Sequence, residues 1–203
     1  MFYLLIDMHA HLWDGRFEEN KRQIMRVCEN YGVSKVLISS LGGDYPDEEE
    51  ISRLNSATFQ FMKEEPSVIK GYCYVNPRNP NALNVLKRGI EDYGMSGMKL
   101  WVATFCDDPR VFPLVEQCID YRVPVLIHTF YKVIGQLPYE SRGSNVAALA
   151  ARYPEAKLLM AHMGANCLRE LKPIRPYCNV SVDTSGSIFH RDDIDYVKKM
   201  LGA

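Results

Sequence analysis

Short apolar runs recur along this chain, and their regular spacing limits the possible folds more than any other feature. Their starts lie about 20–35 residues apart, the length of one strand followed by one helix. Most runs are almost continuously apolar, as expected of strands buried on both faces of a parallel sheet. The seven predicted strands are Phe2–His9, Lys35–Ser40, Val68–Asn76, Gly97–Trp101, Val123–His128, Lys157–His162 and Asn179–Asp183.

Helical periodicity fills the gaps between these runs. In the first helix, Ile24, Val27, Cys28 and Tyr31 form one apolar stripe. Glycines that can end a helix follow several of the segments, at positions 32, 94 and 202. The predicted helices are Glu19–Tyr31, Asp47–Lys63, Pro80–Tyr93, Pro109–Tyr121, Ser144–Tyr153 and Arg191–Leu201.

Repeated strand-helix units predict an α/β fold, either a doubly wound sheet or a (β/α)8 TIM barrel. The first strand leads into HAHLWDG, without the GxGxxG fingerprint of a dinucleotide-binding sheet. The sequence therefore favours the barrel. No linker or change in composition divides the 203 residues, so we expect one domain over residues 1–203.

The bulk composition excludes several classes of partner. The formal net charge of −1 gives no basis for binding nucleic acid. No apolar stretch reaches the roughly 20 residues of a membrane helix, and the N-terminus lacks the features of a signal peptide. Six scattered cysteines without a CxxC pair are expected to be reduced. These features predict a cytoplasmic protein with a small-molecule substrate.

Polar residues cluster where the predicted strands end. His9, Lys99, His128, His162 and Asp183 all fall at or near a carboxyl-terminal strand end, the edge that carries the chemistry in a barrel. Three of the five histidines in the chain are in this group, and a fourth, His11, lies two residues after His9. Such a concentration predicts a metal or catalytic cluster.

The pair His9 and His11 indicates metal binding through its spacing. Side chains two residues apart on a strand point to the same side, so both imidazoles can grip one ion, with His128 and His162 approaching from later strands. Neutral imidazole is a good ligand for zinc and its neighbours. We expect one divalent ion, zinc first, with manganese or another divalent ion as the alternative.

The roles of the other polar strand-end residues stay open. Lys99 is a rim lysine paired with a carboxylate, a contact for a substrate anion, or a carboxylated lysine bridging two metals. Asp183 either supports a histidine or only closes its strand with a hydrogen bond. His190, at the start of the last helix, is expected to be a surface or capping residue.

An ordered set of motifs resembles the amidohydrolase-related family, whose members are metal-dependent (β/α)8 barrels. The motifs are IDMHAHL at 6–12, GMKLW at 97–101, PVLIHT at 124–129, LLMAHMG at 158–164 and VSVDTSG at 180–186. The resemblance implies that His9, His11 and His128 bind the metal. It implies that His162 acts as acid, base or electrostatic partner in single-metal members, or as a ligand in two-metal members. Lys99 matches a position that is carboxylated only in other branches.

One expected part of the family's site is absent from this sequence. The resemblance implies a further aspartate ligand at the end of an eighth strand, in a motif like GSDxP, which does not occur here. We therefore expect a barrel without its eighth strand, and a C-terminally incomplete domain is the first explanation. The alternatives are a short open barrel and closure by a partner chain, since unpaired strand edges invite pairing; a homo-oligomer fits the last.

Loops after the strands should line the substrate pocket. Aromatic residues there could hold a planar substrate, and Arg78 and Lys132 could bind a carboxylate. The predicted substrate-binding residues are Trp13, Asn76, Arg78, Trp101, Phe130 and Tyr131, while His162, Lys99 and Asp183 are the predicted catalytic residues.

The resemblance implies hydrolysis of an amide, lactone or similar C–N or C–O bond of a small, carboxylate-bearing substrate. Three alternatives stay open. They are a non-oxidative decarboxylase on the same scaffold, a metal-dependent deoxyribonuclease barrel, and a metal-binding protein without activity. The nuclease ranks low because a glutamate is expected where this chain has Lys99.

Overall fold

Strands and helices alternate along the chain in a computed structural model that describes residues 4–186 and 191–202. The strands are β1 (Leu5–Trp13), β2 (Val33–Leu41), β3 (Ile69–Tyr74), β4 (Gly97–Leu100), β5 (Val125–Ile127), β6 (Leu158–Met160) and β7 (Val180–Val182). The helices are α1 (Phe17–Tyr31), α2 (Glu48–Glu64), α3 (Ala82–Glu91), α4 (Phe112–Tyr121), α5 (Gly143–Arg152), α6 (His162–Ala165) and α7 (Arg191–Leu201). Two 3₁₀ turns, Pro109–Val111 and Leu168–Leu171, complete the elements.

The chain divides into two units, an N-terminal unit (Met1–Lys99) and a C-terminal unit (Leu100–Ala203). In the first, β1 to β4 pair in parallel in chain order; in the second, β5 to β7 do the same. This topology confirms the predicted α/β fold of the TIM-barrel type, with seven strands among the described residues.

The apolar runs are buried as their composition predicts. In the N-terminal unit, Leu12, Val36, Ile38, Phe61 and Ile69 belong to one core cluster. In the C-terminal unit, every residue of β5 and β6 is buried, and so are Val146 and Leu149 of α5. Removal of these side chains from water is the main favourable term in forming each unit.

Some sequence-based boundaries were wrong. β1 continues to Trp13, so His9 and His11 lie inside the strand instead of at its end. The predicted stripe on α1 is buried only at Cys28, whereas Val27 and Tyr31 are exposed. The short α6 was not predicted, because its residues have left-handed backbone angles. The prediction for His190 lies outside the described residues.

The six cysteines are all free thiols, and four of them are buried. Burial raises the pKa of Cys106 and that of Cys118 to about 12, so neither forms a thiolate near neutral pH. Cys178 alone is exposed. Within the described part of the chain, no helix is long and apolar enough to cross a membrane.

Brief treatment of the native protein with iodoacetamide at pH 8 should therefore modify Cys178 first and leave Cys106 and Cys118 intact, because the thiolate is the reacting species. Peptide mass mapping reads out each site, and a sample unfolded in guanidinium chloride provides the control in which all six react. Rapid modification of Cys106 or Cys118 in the native protein would contradict the burial described above.

Candidate metal centre

Two imidazoles of β1 meet on one side of the strand. The Nε2 atoms of His9 and His11 lie 2.9 Å apart, and the rings are nearly perpendicular. The pairing with β2 is irregular between Asp7 and Ala10, where β1 carries one extra residue. Such bulges redirect side chains, and this one lies immediately before His11, which pairs in regular register with Ser39.

The hydrogen bonds of His11 indicate which of its nitrogens is protonated. Its Nδ1 faces the backbone oxygen of Ser39 at 3.3 Å and the Ser39 hydroxyl at 3.0 Å. A carbonyl oxygen only accepts, so this contact favours a proton on Nδ1 and leaves a lone pair on Nε2. This arrangement is typical of a histidine whose outer nitrogen is fixed so that the inner one can bind a metal.

Lys99 brings an amino group to the same cluster. Its side chain is completely buried, and Nζ lies 3.1 Å from His9 Nε2. The N-terminal unit therefore brings His9, His11 and Lys99 together.

A second histidine pair belongs to the C-terminal unit. His128 follows β5, and its backbone N–H donates to the oxygen of Leu100. His128 Nδ1 lies 3.2 Å from His162 Nε2, and His128 Nε2 lies 3.0 Å from a carboxylate oxygen of Glu140. The carboxylate fixes the proton on Nε2, which leaves the Nδ1 lone pair directed at His162.

Sequence reasoning missed Glu140, which is only 2% exposed. Its carboxylate accepts hydrogen bonds from His128, Lys132, Gln136 and the Leu137 N–H. Burial acts to raise the pKa of Glu140, but these donors outweigh it and lower the pKa to about 2. An acidic residue shortly after a strand-end histidine, in a segment otherwise rich in apolar residues, is the sequence signal that could have identified it.

His162 is held in an unusual backbone conformation. Residues 162–166 all have positive φ, and only Gly164 among them is glycine. Left-handed non-glycine residues are strained, and such strain concentrates at functional sites. The strained position is stabilised by Asp183, whose Oδ1 accepts from the His162 backbone N–H at 2.9 Å.

A hydrogen-bonded chain orients the His162 ring. Ser185 Oγ donates to Asp183 Oδ1 at 2.6 Å and lies 3.0 Å from His162 Nδ1. Because the serine proton is used on Asp183, the hydroxyl oxygen accepts from His162 Nδ1–H. Gly186 closes the arrangement at a φ of 88°, and a Cβ there would come within 2.9 Å of the ring. The C-terminal unit thus assembles His128, His162 and Asp183.

The donor set of each unit suits a divalent cation. In the N-terminal unit the lone pairs of His9 Nε2 and His11 Nε2 converge, and in the C-terminal unit those of His128 Nδ1 and His162 Nε2 do so. Two nitrogen lone pairs at such distances repel each other unless a proton or a cation is shared between them. Imidazole nitrogen suits zinc and other transition metals, so these residues fit the metal that the sequence predicts.

The predicted substrate-binding residues fall into different surroundings. Trp13 touches the His11 ring edge-on, Trp101 touches His128, and Phe130 packs against both His128 and His162. These aromatic rings lie beside the histidines of their own unit. Their role in binding substrate stays a prediction.

Asn76, Arg78 and Lys132 use their polar groups within the protein. Asn76 donates to the oxygen of Pro46 and accepts from the Arg78 backbone N–H. The Arg78 guanidinium lies 5.9 Å from the ring centroid of Tyr45. Lys132 Nζ donates to Glu140 at 2.7 Å. The sequence had suggested Lys132 as a contact for a substrate carboxylate, but in the structure it binds a carboxylate of the protein.

Comparison with known proteins identifies the family. The profile of the family described as Amidohydrolase matches residues 6–200, nearly the whole chain. The protein therefore belongs to the amidohydrolase family, whose members are metal-dependent enzymes. No curated protein sequence matches the chain.

Solved structures agree on the fold. 2,6-Dihydroxybenzoate decarboxylase from Rhizobium is 13% identical, with a TM-score of 0.76 over 99% of this chain and 85% of that one. Dihydroxybenzoic acid decarboxylase from Polaromonas sp. JS666, solved with manganese and 2-nitroresorcinol, is 16% identical, with a TM-score of 0.73 over 99% and 84%. 4-Oxalomesaconate hydratase from Rhodopseudomonas palustris is 15% identical, with a TM-score of 0.67 over 97% and 78%. At these identities the likeness establishes the fold alone.

Glu140→Gln should weaken metal binding by about 10–100-fold, the usual effect of removing a partner that orients a metal-bound histidine. The amide keeps the shape of the carboxylate but not its charge. Titration of the metal-free protein with Zn²⁺ or Mn²⁺ in a calorimeter measures the change, with Glu155→Gln, an acid outside this cluster, as the matched control. Equal affinities in the wild-type protein and the Glu140→Gln variant would contradict this role.

Proposed function

We propose that this protein is a metal-dependent hydrolase that cleaves an amide, lactone or similar C–N or C–O bond of a small, carboxylate-bearing molecule. The observation that carries the proposal is the convergence of imidazole lone pairs in each unit, with their outer nitrogens held by Ser39, Glu140 and Ser185. Membership of the amidohydrolase family supports it.

In this proposal His9, His11 and His128 hold one divalent ion. Zinc is the first choice for an all-imidazole set, and the manganese in the Polaromonas decarboxylase makes that metal the alternative. When bound, the ion supplies Lewis-acid activation of water and of the substrate's carbonyl group.

His162 is the proposed acid and base. Its Nδ1–H donates to Ser185, whose hydroxyl donates in turn to Asp183, so Nε2 is the nitrogen that accepts a proton from the attacking water and returns it to the leaving group. Asp183 also holds the His162 backbone. Lys99 lies beside His9, and its protonated form would stabilise negative charge that develops on the substrate.

Non-oxidative decarboxylation is the second candidate. Two of the solved structures described above are decarboxylases of dihydroxybenzoic acids, and Trp101 and Phe130 offer ring surfaces beside His128 that suit a planar acid. In that reaction His162 would deliver the proton that replaces carbon dioxide.

The proposal includes a small-molecule substrate and a cytoplasmic location. The net charge of −1 gives no attraction to nucleic acid or an anionic membrane, and all six cysteines are free, as is usual in a reducing compartment.

Elemental analysis tests the metal site. The purified wild-type protein should contain roughly one divalent ion per chain, and His9→Ala/His11→Ala should lose it, because two of its nitrogen ligands are gone. His190→Ala is the control, since it removes the one histidine that is not assigned to the site. Unchanged metal content in the double variant would overturn the assignment.

Turnover on a panel of lactones, amides and aromatic acids tests the reaction. His162→Asn should lower kcat by about 100-fold or more while metal content is retained, as expected for loss of a general acid-base group. Detection of released ¹³CO₂ from carboxyl-labelled acids, beside hydrolysis measured by chromatography of the opened lactone or cleaved amide, separates the two candidates. Full turnover by His162→Asn would refute the role of His162.

A further inference from the structure

The loop after β5, here called the β5 loop (residues 130–141), is closed at its base and cross-linked inside. The Phe130 N–H donates to the oxygen of Ser141 at 3.1 Å. Gln136 Oε1 accepts from the Lys132 N–H at 2.8 Å, and Gln136 Nε2 donates to the oxygen of Phe130 at 3.1 Å. Contacts of this kind define a local segment that opens and closes as one unit.

Apolar packing contributes little to holding the tip of the β5 loop. Val133 and Ile134 form this tip and are 93% and 89% exposed, and Gly135 follows with a φ of 75°. Segments with few buried apolar contacts open at a low cost in free energy. The closed form of the β5 loop therefore depends on its polar contacts.

Glu140 joins these polar contacts to His128. Glu140 Oε2 accepts from Gln136 Nε2 at 2.9 Å and from the Leu137 N–H at 3.0 Å. Glu140 Oε1 accepts from Lys132 Nζ at 2.7 Å and from His128 Nε2 at 3.0 Å. Because one carboxylate binds both the loop and the imidazole, the closed form of the loop and the orientation of His128 are linked.

Lys132 contacts both of the groups that hold the His128 ring. Its Nζ donates to Glu140 and lies 4.9 Å from the ring centroid of Phe130. Phe130 in turn stacks on His128, with the ring centroids 6.0 Å apart and the planes inclined by 24°. A cation over an aromatic face and a charged hydrogen bond to a carboxylate are both favourable contacts. Lys132 therefore restrains His128 through two of its neighbours.

We propose that Lys132 is a positioning residue for His128, and that closure of the β5 loop and metal binding at His128 favour each other. The inference rests on the proposed function, in which His128 is a metal ligand. His128 offers its Nδ1 lone pair because its proton lies on Nε2, where Glu140 accepts it. The closed loop holds Glu140 in place for that proton. By thermodynamic linkage, a metal that prefers the closed form also stabilises it.

Amide hydrogen exchange measured by NMR on the full, metal-free chain tests the role of Lys132. Lys132→Met should speed exchange of the Phe130 and Leu137 amides by about tenfold or more, the usual effect of removing a charged hydrogen bond. The Val125 amide of β5, which donates to the neighbouring strand segment, should not change. Lys132→Arg should keep exchange slow, because a guanidinium also donates to a carboxylate. Lys172→Met removes an exposed lysine of the same unit and is the matched control.

Titration with Zn²⁺ tests the link between the β5 loop and the metal. In a calorimeter, the wild-type protein, Lys132→Arg and Lys172→Met should bind Zn²⁺ with similar Kd values. Lys132→Met should bind it about tenfold more weakly, as expected when the partner of a metal-bound histidine loses its position. Saturating Zn²⁺ should in turn slow exchange of the Leu137 amide in the wild-type protein by about tenfold, the reciprocal effect.

Several results would overturn the inference. They are unchanged exchange or unchanged Zn²⁺ affinity in Lys132→Met, loss of both in Lys132→Arg, and an equal effect of Lys172→Met. Faster exchange at Val125 to the same degree as at Leu137 would also overturn it, because the variant would then have lost overall stability. Zn²⁺ binding without slower exchange in the β5 loop counts against the coupling alone. A wild-type protein that binds no Zn²⁺ counts against the proposed function itself, so the two failures are distinguishable.

Discussion

The candidate site depends on hydrogen bonds to the outer nitrogens of its histidines. A neutral imidazole has one proton and one lone pair, so a partner that fixes the proton also aims the lone pair. Ser39 does this for His11, Glu140 for His128, and Ser185 for His162. Without these partners the same rings could turn their N–H groups inward, where a cation would not bind.

These hydrogen-bond partners differ in how strongly they fix the orientation of their histidine. Ser39 acts through a carbonyl and a hydroxyl of the neighbouring strand, and Ser185 relays the charge of Asp183. Glu140 is itself a buried charge, and four hydrogen-bonding groups compensate for its loss of water. His128 therefore has the most strongly fixed orientation, although its partner lies on a loop and not on a strand.

The sequence predicted the fold and drew attention to the histidines, but it did not predict the groups that hydrogen-bond to their outer nitrogens. Strand and helix positions follow from local periodicity, which is why the alternation and the TIM-barrel type of fold were predicted correctly. The spacing of His9 and His11 likewise predicted that their rings share one side. The position of Glu140 depends on how an irregular loop folds back, and no periodic pattern encodes that. Left-handed angles at His162 and Met163 were equally invisible, since neither residue type favours them.

The extra residue in β1 has a consequence for how this strand tolerates change. Successive side chains along a strand point to opposite faces of the sheet. One inserted residue therefore moves every later side chain to the opposite face. The irregular pairing between Asp7 and Ala10 absorbs such a reversal just before His11. The segment that leads into the strand and the segment that carries His11 are thus out of phase with each other. Substitutions at the start of the strand should therefore leave the pairing of His11 with Ser39, and with it the direction of the His11 ring, unchanged.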